Sequence, residues 1–168
     1  MENLTENIKK INTPRIRGYL IGQVIFSFVG ALLLLIDDFA GYYYSNYYIR
    51  SHTWGDIYFG SGFLATTLII IGAGGLLFSL FFAVKTLKLK KNAPISLIKK
   101  NVKKSIIGGI FTAGLAGIGG LVFIITNVID ETEEWWLDLG FYGAFIGGLL
   151  VVFFGIAILN KVRSKELR

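Results

Sequence analysis

The sequence predicts an all-α fold: a polytopic membrane protein with four transmembrane helices in a compact bundle. Three observations carry this reading. Four long stretches of the 168-residue chain contain no charged side chain. The chain is 54% hydrophobic and only 17% charged, whereas a soluble domain carries about 25% charged residues. Every Lys and Arg except Arg50 lies in the segments flanking one end of those stretches. A soluble core could not absorb this apolar content, because a domain of about 150 residues still leaves about a third of its surface in water.

A bilayer core of about 30 Å is crossed by about 20 apolar residues in a helix. The first such span covers residues 18–36, GYLIGQVIFSFVGALLLLI. Thr13 and Pro14 before it suit the N-cap and first-turn positions of a helix. Its apolar run exceeds the roughly 7–15 residues of a signal-peptide core, so it is expected to stay as an anchor. The outer loop 37–59 is rich in aromatics, including Tyr43, Tyr44 and Trp54. Such rings favour the headgroup level, half dry and half wet. The loop therefore reads as an aromatic belt, or as an adhesive outer surface to which Trp136 also contributes.

The second span covers residues 60–84. The loop 85–104 carries Lys85, Lys88, Lys90, Lys91, Lys99, Lys100, Lys103 and Lys104. Within it Pro94 can open a helix that places Ile95, Ile98 and Val102 on one face, an amphipathic segment feeding the third span. The third span covers residues 105–127, the short acidic outer loop 128–138, and the fourth span 139–159. Basic-rich short loops remain cytoplasmic, so both termini are expected inside and the two hairpins outside. The lysines are expected to attract anionic inner-leaflet lipids. Membrane tethering accounts for them without a nucleic-acid partner.

Trp54, Asp56, Phe59 and Phe63 recur as Trp136, Asp138, Phe141 and Phe145, with the same spacing and no gap. Two hairpins repeated in parallel orientation would produce this. So would convergence, since Trp suits the interface, Asp suits a helix N-terminus and Phe at i and i+4 shares a face. On either reading Asp56 and Asp138 are helix caps.

In lipid, apolar side chains gain little by leaving the hydrocarbon, so helices associate through close packing and small residues. Candidate contact patches are Gly18 with Gly22, Gly75 with Ser79, Ala113 with Gly117, Ala116 with Gly120, and Gly143 with Gly147. The fourth span has a second stripe, Gly140, Ala144 and Gly148, so one of its two stripes could face another subunit. Gln23, Thr66 and Thr112 are candidates for bonds between helices or for the lining of a pore in an oligomer.

Chemistry is sparse. There is no Cys and one His, His52, so the usual nitrogen and sulfur metal sets cannot be assembled. No nucleophile–base spacing is present, no catalytic residue is assigned, and no cofactor is expected. Asp130, Glu131, Glu133 and Glu134 could offer oxygens to Ca²⁺ but lack a Ca²⁺-loop spacing. Coupled carriers place ionisable groups inside the bilayer, and the spans have none. The expectation is a non-catalytic structural or accessory subunit of a membrane complex, partnered by lipid and by other membrane subunits or copies of itself. The alternative is an oligomeric passive channel or small-solute transporter.

Overall fold

A computed structural model describes residues 14–44, 47–51, 61–89, 93–129 and 134–166, with side chains omitted at 43–44, 47–51, 61–66, 126–127 and 165–166. Four helices dominate: α1 (Pro14–Ile36), α2 (Ser61–Leu87), α3 (Ile95–Ile129) and α4 (Leu139–Glu166). Each is long and apolar enough to cross a membrane. At about 1.5 Å per residue, the 35 residues of α3 reach about 52 Å, well beyond the hydrocarbon thickness of about 30 Å.

The helices alternate in direction around a square. Ile16 and Leu20 of α1 pack with Ile158 and Val162 of α4, and Gly30 faces Gly143. Gly72 and Gly75 of α2 face Thr112 and Gly108 of α3. Gly109 of α3 faces Gly148 of α4. Each pairing runs up one helix and down the other. Pro14 and Glu166 therefore sit at the same end as the α2–α3 connection.

Glycine makes these contacts possible. A Cβ on Gly30 would lie 2.6 Å from the Gly143 carbonyl oxygen, one on Gly148 2.7 Å from the Gly109 oxygen, and one on Gly108 2.5 Å from the Gly75 oxygen. Backbone atoms cannot swing aside as side chains do, so these positions admit no larger residue. The two small-residue stripes of α4 are both used within the bundle. Gly143 and Gly147 meet α1, Gly148 meets α3, and Ala144 is fully buried. Gly22 and Gly120 accept the rings of Phe154 and Phe141. Gly18 does not join these contacts: among the described residues nothing comes within 4 Å of where its Cβ would be.

The helical class holds, but the outer loops are not simply an aromatic belt. They form a three-stranded antiparallel sheet of β1 (Ala40–Tyr44), β2 (Tyr47–Ser51) and β3 (Glu134–Leu137), in the order β2-β1-β3. The β1–β2 hairpin pairs Tyr44 with Tyr47 and Ala40 with Ser51. On its other edge β1 pairs Ala40 with Leu137 and Tyr43 with Glu134. Tyr and Ile favour a pleated surface, so the same aromatics that suit an interface also build a hairpin. The third strand comes from 97 residues away in chain numbering at the Ala40–Leu137 pair, a pairing that no local pattern announces.

A second difference lies at the opposite end. The segment carrying Ile95, Ile98 and Val102 is not a separate interfacial piece but the first turns of α3. Pro94 opens it, its carbonyl accepting from the Leu97 and Ile98 amides. Ile98 and Val102 are buried against Ile16, Leu20, Ile158 and Val162, so their apolar face meets protein rather than lipid. Of the candidate repeat, Trp54, Asp56 and Phe59 and the side chain of Phe63 lie outside the described residues.

Backbone contact at Gly148 predicts a sharp positional contrast. Gly148→Ala is expected to destabilise the bundle by about 1–3 kcal/mol through overpacking. Gly114→Ala, with open space around it, is expected to leave stability unchanged or raise it. Thermal unfolding in a mild detergent distinguishes the two.

Candidate functional site

Two polar regions stand out in an otherwise apolar molecule: a layer within the bundle and an acidic corner beside the sheet.

In the layer, Gln23, Ser27, Ser79, Ser105 and Thr112 are all fully buried. Thr112 Oγ1 donates to the Gly72 carbonyl at 2.7 Å. Ser79 Oγ donates to the Ser105 carbonyl at 2.7 Å, and Ser105 Oγ returns a bond to the Ser79 carbonyl at 3.2 Å. This exchange ties α2 to α3 where Gly75 and Gly108 let the backbones meet. Gln23 Nε2 donates to the Val151 carbonyl at 2.9 Å, tying α1 to α4. Ser and Thr hydroxyls can reach a neighbouring helix's carbonyl only when that helix lies at backbone contact, so glycine packing and hydrogen bonding depend on one another.

Among the described residues, three buried polar atoms have no hydrogen-bond partner: Gln23 Oε1, Ser27 Oγ and Asn101 Nδ2. Gln23 and Ser27 lie one turn apart on the inward face of α1. Each such group is costly in a dry interior, by about 1–3 kcal/mol. Gln23 and Thr112, weighed as pore-lining residues, are enclosed between helices and do not line an open path within one bundle. The side chain of Thr66, the third of that set, lies outside the described residues.

The acidic corner joins three carboxylates that are distant or only paired in sequence. One oxygen from each of Asp37, Asp38 and Asp138 lies within 4.8 Å of the others. The sheet makes this happen. The Asp138 amide donates to the Phe39 carbonyl at 3.0 Å, and the Gly140 amide donates to the Asp38 carbonyl at 3.0 Å. These bonds continue the β1–β3 ladder into the start of α4. Gly140 is required here, since a Cβ would lie 2.7 Å from the Asp38 oxygen.

Asp138 occupies the N-cap position of α4, its carbonyl accepting the Tyr142 amide at 3.2 Å and its Oδ1 the adjacent Leu139 amide at 3.0 Å. Its Oδ2 accepts the Trp136 indole N–H at 3.2 Å. Asp37 Oδ1 accepts the Asp38 amide at 2.8 Å. Oxygens of this kind suit a hard cation, but Ca²⁺ takes six to eight ligands, and three of these oxygens already serve the backbone and Trp136. The corner reads as a joint between α1, the sheet and α4. Of the acidic loop weighed earlier, Asp130, Glu131 and Glu133 lie outside the described residues, as does His52.

Trp136 does not present a free adhesive ring. It packs over Gly41, its partner across the sheet, and bonds to Asp138. Tyr42 sits 6.3 Å from the Phe123 ring of α3. Trp54 and the side chains of Tyr43 and Tyr44 lie outside the described residues. Several residues that organise these regions escaped sequence reasoning: Gly30, Gly108 and Gly109 as close-contact glycines, and Ser105 as a cross-helix donor. Gly109 and Ala113 form a small-xxx-small pair that could have been found. Gly30 has no small partner four residues away and could not.

No known protein family, no curated protein and no solved structure matches this chain. The functional reading therefore rests on the chain's own chemistry.

Hydroxyls on the same layer should respond differently to removal. Ser79→Ala breaks a bond between helices and is expected to destabilise by about 0.6 kcal/mol, at most about 1.7. Ser27→Ala removes an unpartnered group and is expected to leave stability unchanged or raise it. Equilibrium unfolding in mixed micelles reads both. Asp138→Ala, by deleting the cap, is expected to cost about 1 kcal/mol, while Asp138→Asn keeps an acceptor and retains most of that stability. Thermal unfolding monitored by near-UV circular dichroism checks this pair.

Proposed function

We propose that the chain is a small integral membrane protein with both ends cytoplasmic, acting as a non-catalytic structural or accessory subunit of a membrane complex. The observation that supports this most is how the molecule uses its polar groups. Those in the spans are enclosed and directed mainly at neighbouring helices, while every helix keeps a broad apolar outer face. In the most apolar stretch of each helix only 33–39% of residues are buried within the bundle. Outward residues include Phe28, Phe81, Ile118 and Phe153, each more than half exposed. A single four-helix bundle thus turns its polar groups inward and offers hydrocarbon, and any companion helix, its apolar surface.

The orientation follows from charge. Arg15, Arg17, Lys85, Lys88, Lys100, Lys103, Lys104, Lys161 and Arg163 belong to one end of the bundle, while Asp37, Asp38, Glu134 and Asp138 belong to the other. Basic loops resist translocation, which supports an inside position for the first group. The parallel-hairpin repeat is retained as the origin of this up-and-down plan, supported by the matched Trp-Asp-Phe-Phe pattern. Self-association belongs to the same proposal, with an outer apolar face rather than the second stripe of α4 as the surface.

The channel reading draws less support, because Gln23, Ser79 and Thr112 close against neighbouring helices instead of opening toward a lumen. Gentle extraction of the full chain is expected to bring down a membrane partner at a fixed ratio in at least two detergents. Recovery as a lone monomer under all such conditions would refute the subunit role.

A further inference from the structure

The exposed side of α2 carries a shallow, open apolar depression lined by Leu77, Leu80, Phe81 and Val84, with Lys85 and Lys88 at one end. These positions repeat at three- and four-residue steps, so they form one stripe along the helix. From Leu77 to Lys88 the stripe runs about 16 Å, close to the depth of one leaflet's hydrocarbon, about 15 Å. The apolar part lies where acyl chain would be, and the lysines lie where headgroups would be.

The charge at the mouth is concentrated and held in place. The Lys85 ammonium lies 5.9 Å from the Phe81 ring centre and 6.0 Å from that of Phe82. Lys104 of α3 brings a second ammonium to within 4.7 Å of the same Phe82 ring. Ring faces orient a cation without neutralising its charge. Every carboxylate whose side chain the structure describes belongs to the opposite end of the bundle. The mouth is therefore cationic, and its complement is an anion attached to an apolar tail. A water-soluble anion would leave the apolar stripe unused, whereas a zwitterionic lipid would gain little from three ammonium groups.

We infer that this stripe is a binding site for one anionic phospholipid, its acyl chain along Leu77–Val84 and its phosphate at Lys85 and Lys88, with Lys104 beside them. The inference rests on the membrane-spanning reading above and names a partner for one particular face. It differs from general attraction of a basic end to an anionic leaflet, because it makes these lysines unequal to the others at the same end.

The full chain is reconstituted into phosphatidylcholine vesicles containing a minority of phosphatidylglycerol, floated, extracted into mild detergent, and its retained lipid weighed by native mass spectrometry. Phosphatidylglycerol is expected to be enriched over its bilayer fraction by about tenfold, the scale set by a few basic contacts. Combined Lys85→Gln, Lys88→Gln and Lys104→Gln should abolish the enrichment. Combined Lys100→Gln, Lys103→Gln and Lys161→Gln, with the same charge change, should retain it. Val84→Trp, which fills the groove and keeps the charge, should also reduce it. Equal loss in the two triple variants, no effect of Val84→Trp, or no enrichment in the parent chain would overturn the site while leaving a floating protein. A chain that does not float with vesicles would overturn the membrane reading itself.

Discussion

Backbone-to-backbone approach between helices is the constraint on which the molecule depends. Lipid offers apolar side chains almost the same environment as protein, so hydrophobic burial drives association weakly within the bilayer. What remains is packing and hydrogen bonding, and both need proximity. Gly30 against Gly143, Gly75 against Gly108 and Gly109 against Gly148 provide it. At the second of these contacts Ser79 and Ser105 exchange bonds with each other's carbonyls. Without the glycines the hydroxyls would fall short, and without the hydroxyls the contact would rest on dispersion alone.

The two ends of the bundle are closed by different physics. At the acidic end, β3 adds to β1 and draws the end of α1 onto the start of α4. The Phe39 and Asp38 carbonyls receive the first amides of that junction. At the basic end no strand occurs among the described residues. There, α1, α3 and α4 continue as helices beyond the most apolar depth and share a cluster of Ile16, Leu20, Ile98, Val102, Ile158 and Val162. In the proposed membrane setting the helix ends reach toward water, so ordinary hydrophobic burial applies to this cluster. The chain thus uses aqueous-style packing at one end, strand pairing at the other, and close-contact polar packing between.

This division bears on function. A subunit that associates laterally needs a stable interior that does not compete with its outer surface. Here the interior polar groups are directed inward, the charges are confined to the ends, and the lateral face is apolar with shallow relief along α2. Lys85 and Lys104 bring charge to the edge of that face by resting on Phe81 and Phe82, as long basic side chains do when their stems remain in hydrocarbon. This arrangement suits the proposed lateral association.

Composition alone determined the helical class, the four long apolar helices and the separation of charge, because long uncharged runs are what crossing about 30 Å of hydrocarbon demands. The Asp138 cap and the Pro94 helix start were legible for the same reason: each depends on residues within one turn. The tertiary structure decided what depends on distant partners. The strand pairing of residues 40–43 with 134–137 was hidden because an aromatic loop suits an interface as well as a sheet. Gly18 and Gly143 look equivalent in sequence, yet only Gly143 faces a neighbouring backbone. The meeting of Asp37 and Asp38 with Asp138 required α1 and α4 to be neighbours. A one-dimensional pattern records which face of a helix is small or polar, but not which other helix will cover it.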